Sequence, residues 1–90
     1  MAHVRFTKNL ARLFAGLDSV DVDAATVAEA VSRLSDMYPR LTSYLVDEHG
    51  ALRRHVNIFV DDVLVQDRSR LSDPLAQDAE LYVVQSLSGG

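Results

Sequence analysis

Ninety residues, 48% apolar and 24% charged, are too few to divide into two separately buried cores, so a single compact domain is expected. The absence of cysteine excludes a disulfide framework and a thiolate zinc site, leaving packing to stabilise the fold. A formal net charge of -4 argues against a nucleic-acid partner, because phosphate-backbone binding draws on clustered Lys and Arg, and favours a neutral or basic protein partner.

Arg5 and Lys8 precede the apolar run Leu10 to Leu17, which superficially resembles a secretory leader. Arg12 interrupts that run, and Val4 and Phe6 alternate with polar residues, so the segment reads as folded protein. No stretch approaches the roughly 20 apolar residues of a membrane span, and a soluble cytosolic protein is expected.

The first predicted element is a half-buried strand over Ala2 to Thr7, with Val4 and Phe6 on one face and His3, Arg5 and Thr7 on the other. A loop through Lys8, Asn9 and Gly16 is expected next. Ser19-Val20-Asp21-Val22 alternates again and is short enough to return as a hairpin arm. Thr26-Val27-Ala28-Glu29 is a capping box, in which the Thr26 hydroxyl accepts a first-turn N–H while Glu29 reaches back to the N–H of Thr26. The helix it opens carries Val27, Ala30, Val31, Leu34 and Met37 or Tyr38 as an apolar stripe, and Pro39 ends it.

A short helical piece is expected over Leu41 to Val46, and a turn over Asp47-Glu48-His49-Gly50. Val56, Ile58 and Val60 then share one strand face with Asn57 and Phe59 on the other. Asp61-Asp62 make a tight connection to the short arm Val63-Leu64-Val65. The last predicted strand, Glu80 to Gln85, turns Leu81 and Val83 inward and Tyr82 and Val84 outward. The expected fold class is α+β: a β-grasp, with one main helix across one face of a mixed sheet of four to five strands. Residues 1–85 form the domain, and Ser86 to Gly90 a flexible tail.

Two consecutive glycines at the end of a chain arise by chance in roughly one sequence in two hundred, so Gly89-Gly90 is informative only through its position. It follows a final strand, so a rigid body presents a side-chain-free tail ending in a carboxylate. Such a tail suits acyl activation, since residues without Cβ let a partner enzyme's backbone approach closely. Adenylation makes a mixed anhydride at the carboxylate, and a persulfide sulfur displaces AMP to leave a thiocarboxylate.

The first strand at His3 to Thr7, Ala25-Thr26-Val27-Ala28-Glu29, the run His55 to Asp62 and the strand entering Gly89-Gly90 resemble the MoaD/ThiS family of ubiquitin-like sulfur carriers. That family comprises molybdopterin-synthase small subunits, thiamine-pathway carriers and carriers for cysteine synthesis. The segment Tyr38 to Asp62 is most similar to carriers that deliver sulfide for cysteine synthesis in actinobacteria. The resemblance implies a non-enzymatic carrier with no bound cofactor, thiocarboxylated at Gly90 by an adenylyltransferase of the ubiquitin-activating type that uses ATP. A sulfurtransferase or other persulfide donor and a sulfur-accepting biosynthetic enzyme are the further partners. Departures from the family are Asp61-Asp62 in place of Asn-Gly, Gln77-Asp78-Ala79 in place of a glycine turn, and Gln85 where a proline commonly precedes the tail.

Phe59, Tyr82 and Val84 face away from the main helix, either under the stretch Arg40 to Arg54 or as an apolar patch that meets partner enzymes together with Leu87 and Ser88 of the tail. His3, His49 and His55 fall on separate elements and are read as ordinary surface or edge histidines, with no metal expected. The acidic groups Asp61-Asp62, Asp47-Glu48 and Asp18 to Asp23 lack the ligand spacing of a calcium loop. A protein modifier, whose Gly90 ends on a lysine as an isopeptide, is the alternative; a β-grasp interaction module with an idle tail is the third reading.

Overall fold

The structure, a computed structural model, describes residues 1–13 and 19–85. Strand β1 (Ala2–Phe6) buries Ala2, Val4 and Phe6 and turns His3 and Arg5 outward. It pairs antiparallel with β2 (Ser19–Val22), Val4 standing opposite Val20, so the expected hairpin forms. The connection departs from the predicted loop at its start, where α1 (Lys8–Leu13) forms. The N–H of Ala11 donates to the Thr7 carbonyl at 2.9 Å, and Leu10 is fully enclosed in the core. A helix this short is unstable by propensity, and the burial of Leu10 and Ala11 is what holds it. Gly16 lies outside the described residues.

Helix α2 (Val27–Met37) opens on Thr26, whose extended backbone and Oγ1, accepting the Glu29 N–H at 3.1 Å, make it the N-cap. The Glu29 carboxylate closes the box one residue earlier than predicted, accepting from the N–H of Ala25 at 2.7 Å. Val27, Ala30, Val31 and Leu34 form the buried stripe, and Tyr38 continues it against the core, while Met37 is 44% exposed. Pro39 both stops α2 and occupies the first turn of α3 (Pro39–Leu45), where its missing N–H costs nothing. The second helix thus begins earlier than Leu41, and it buries Leu41 and Leu45.

The turn at Asp47 to Gly50 is set by two acceptor contacts and one glycine. The Asp47 carboxylate takes the N–H groups of His49 and Ala51 at 2.8 and 3.0 Å, and Gly50 adopts φ +83. Strand β3 (Val56–Val60) follows and pairs antiparallel with β4 (Val63–Leu64) across Asp61 and Asp62, both at positive φ, 49 and 70. Two successive left-handed residues match the twist of a two-residue hairpin, and Asp tolerates that geometry better than most side chains.

Strand β5 (Glu80–Gln85) lies in the middle of a five-stranded sheet of order β2-β1-β5-β3-β4. It runs parallel to β1 and antiparallel to β3. Leu81 and Val83 join Val4, Val56 and Ile58 in one core with Val27, Leu34, Leu41 and Leu45. Enclosing each of these large aliphatic side chains contributes about 1.5–3 kcal/mol.

The long connection 65–79 has no helix or strand, yet it is fixed by hydrogen bonds. Asp67 accepts from the N–H groups of Arg70 and Ser72 and from the Ser72 hydroxyl, and Asp73 accepts from the N–H groups of Gln66 and Asp67. Its carbonyls also satisfy the start of α2: Asp73 takes the Val27 N–H at 3.0 Å and Leu71 takes the Ala28 N–H at 2.8 Å. Leu71 is buried at φ +54, an unfavourable backbone for a leucine that the loop enforces.

Candidate functional site

Strand pairing lines up one row of side chains across the face of the sheet that looks away from the core. Arg5 is opposite both Ser19 and Tyr82, Tyr82 is opposite Phe59, and Phe59 is opposite Leu64. The Arg5 guanidinium stands over the Tyr82 ring, 5.0 Å from its centroid. The next row is polar: His3 is opposite Asp21 and Glu80, with His3 Nδ1 and Asp21 Oδ1 2.7 Å apart. Asp61 Oδ1 accepts the Glu80 N–H at 2.9 Å and ties the β3–β4 turn to the start of β5.

Together His3, Arg5, Phe59, Asp61, Glu80 and Tyr82 line most of an open concavity of about 750 Å³. Tyr82 is 37% exposed and Phe59 half-buried. The structure therefore brings two of the three expected patch residues together. Val84, opposite Asn57, lies on the same face but further along β5 and outside the concavity. The stretch Arg40 to Arg54 forms α3 and the Asp47 turn, and none of its residues lines this concavity. Leu87, Ser88, Gly89 and Gly90 lie outside the described residues.

His3, Arg5, Glu80 and Leu64 enlarge the patch beyond what was expected of it. Strand parity already turns His3 and Arg5 outward, but only the parallel β1–β5 pairing shows that they meet Tyr82 and Glu80. Exposed apolar surface on this face continues onto β4 at Leu64, 46% exposed, whereas Val63, 57% exposed, is opposite Val60 and belongs to the other face.

At the end of β5 the chain leaves from between two strands. Val83 is paired with Phe6 on one side and Ile58 on the other, and Gln85 is opposite Val56. Arg68 braces this end of β3: its guanidinium donates to Asn57 Oδ1 at 2.7 Å and to the carbonyls of Arg53 and Val56 at 2.7 and 2.9 Å. The three histidines do not converge, and among the described residues no group of three or more His, Cys, Asp or Glu could hold a metal. No helix among them is long and apolar enough to cross a membrane. The arrangement is an open face of the sheet with aromatic, basic and acidic side chains, spanning the start and middle of β5.

The model of the ThiS family matches residues 4–90. Among solved structures, CysO of Mycobacterium tuberculosis is similar at 25% identity and a TM-score of 0.83, covering 97% of this chain and 100% of its own. SAMP1 of Haloferax volcanii is similar at 27% identity and a TM-score of 0.77, covering 99% of this chain and 98% of its own. A chain of the Amycolatopsis orientalis BexX/CysO complex superimposes with a TM-score of 0.86 at 24% identity, each chain covered in full. No curated protein sequence gives a significant match. The fold shared with these structures is the ubiquitin-like β-grasp expected from the order of elements.

Proposed function

The chain belongs to the ThiS family, and from that membership we propose that it is a sulfur carrier whose Gly90 carboxylate is adenylated and converted to a thiocarboxylate. The thiocarboxylate donates its sulfur in cofactor biosynthesis, molybdopterin or thiamine, or in cysteine biosynthesis; the likeness of Tyr38 to Asp62 to cysteine-pathway carriers favours the last. The observation that carries this reading is the extent of the family match, which runs through Gly90 itself. The central position of β5 supports it, because residues 86–90 follow directly on a strand held from both sides.

In this reading the chain is a co-substrate and supplies no acid, base or metal. ATP is used by the activating adenylyltransferase, a persulfide donor supplies sulfur, and the acceptor is a cytosolic biosynthetic enzyme. Phe59 and Tyr82, with Leu64 beside them, are the apolar part of the docking face, and Val84, Leu87, Ser88 and Gly89 carry the contact towards the reacting end. A side-chain-free Gly89-Gly90 passes a narrow channel that a Cβ would obstruct.

Intact mass spectrometry tests this directly. After incubation with ATP, the adenylyltransferase and a sulfur source, the chain gains the difference between sulfur and oxygen, and a chain lacking Gly90 does not. A second reading, a protein modifier, draws support from the 27% identity to SAMP1, a small archaeal modifier protein. It is distinguished by conjugates of higher mass in place of the sulfur exchange.

A further inference from the structure

One end of the concavity on the outer sheet face is acidic, and pairing at the start of β5 assembles it. The Asp61 N–H donates to the Glu80 carbonyl at 2.8 Å, and Asp61 Oδ1 accepts the Glu80 N–H at 2.9 Å. Both residues, with Asp62 beyond them on the turn, line the concavity and are exposed. Among the described residues no Lys, Arg or His side chain pairs with any of these three carboxylates. His3 is engaged with Asp21 at 2.7 Å, and the Arg5 guanidinium stands over the Tyr82 ring. Three unpaired anions thus face one guanidinium along this lining, in a chain whose formal net charge is -4.

Turn geometry does not account for Asp62. It sits at φ 70, where glycine is unstrained, and among the described residues its carboxylate accepts no hydrogen bond. Like charges side by side on neighbouring strands also repel, so the free fold carries an electrostatic cost here that a cationic occupant offsets. The next row supplies an aromatic wall, Phe59 opposite Tyr82. Carboxylates beside ring faces suit a planar cation. An arginine guanidinium holds five N–H donors in a fixed fork, takes a carboxylate with two bonds and lies flat on a ring, whereas a lysine ammonium is a point charge without a plane. A phosphate or carboxylate would add to the repulsion.

We propose that this end of the concavity is an anchor site for an arginine side chain of a partner protein, its guanidinium donating to Asp61, Asp62 and Glu80 with its plane against the Phe59–Tyr82 row. The proposal rests on the reading of this face as a docking surface and adds the chemistry of what docks there. Arg5 covers Tyr82 from the β1 side, which leaves the β3 side, beside Phe59 and Asp61, for the incoming cation and fixes its register.

The test needs no partner enzyme. The full chain, labelled with nitrogen-15, is titrated at low salt with Nα-acetyl-arginine amide, which carries the guanidinium and no carboxylate, and with the neutral isostere Nα-acetyl-citrulline amide. Saturable amide shifts are expected for the arginine probe at Asp61, Asp62, Glu80 and Tyr82, with a Kd on the order of 10 mM, and none for citrulline. The lysine analogue should bind more weakly. Asp62→Gly with Glu80→Gln is expected to weaken arginine binding at least about fivefold while urea unfolding still reports a cooperative fold. No saturable shift, equal shifts with citrulline or lysine, shifts centred elsewhere, or unchanged affinity in the double variant would each overturn the proposal. Sulfur exchange at Gly90 is measured separately: its presence without arginine binding retains the carrier reading and rejects the anchor, and arginine binding without exchange does the reverse.

Discussion

The guanidinium of Arg5 stands 5.0 Å from the centre of the Tyr82 ring, holding that ring at the middle of the outward row. Tyr82 is thereby held between Arg5 and Phe59, an ordering that would lower the cost of docking at the proposed face. Tyr82→Asp and Phe59→Asp are each expected to weaken binding to the activating enzyme at least about tenfold, roughly 1.4 kcal/mol. Titration calorimetry checks this, and unchanged affinity in both variants would remove the patch from the docking face.

The β3–β4 turn offers a gain in stability. Asp62 sits at φ 70, where a glycine is unstrained, and Asp61 at φ 49 uses Oδ1 to accept the Glu80 N–H. Asp61→Asn with Asp62→Gly keeps that acceptor and relieves the backbone, so a gain of about 0.5–1 kcal/mol in urea unfolding is expected. Asp61→Ala, which loses the acceptor, should destabilise.

Two carboxyls are held below the usual carboxylate range. For Asp67 the main cause is the Ser72 hydroxyl, joined by backbone N–H groups; for Asp47 it is the N–H of His49, then that of Ala51. Because the folded values lie below the unfolded ones, both contributions are complete above about pH 4 and are lost as pH falls through the folded values. Asp67→Asn should therefore flatten the acid limb of a melting-temperature profile while lowering the neutral plateau. An acid limb of the same steepness as in wild type would refute the assignment.

Leu71 combines a left-handed backbone with complete burial, and its carbonyl caps the Ala28 N–H. Leu71→Ala leaves the backbone strain in place and opens a cavity, so a loss of about 2–4 kcal/mol is expected in chemical denaturation. A loss below about 1 kcal/mol would mean that the loop collapses onto the vacated space.

Where one periodicity governed a segment, its structure was legible in advance. Thr26 and Pro39 bound α2 correctly, and parity placed Leu81 and Val83 inside and Tyr82 outside. The failures come from tertiary effects that leave no local pattern. Lys8 to Leu13 is helical because the core takes up Leu10, and residues 65–79 are ordered by the Asp67 and Asp73 carboxylates accepting from N–H groups within the loop and by Arg68 reaching the distant carbonyls of Arg53 and Val56. The patch was half legible: alternation finds Phe59 and Tyr82, but Arg5, His3 and Glu80 join them only through strand order.

That strand order also has a mechanical consequence. An enzyme that draws residues 86–90 taut pulls along the axis of β5, and hydrogen bonds to β1 and β3 resist that pull on both flanks at once. The load is shared in shear across two ladders; an edge strand would instead peel away one bond at a time. The end of this chain can thus be put under tension without unravelling the body that carries it.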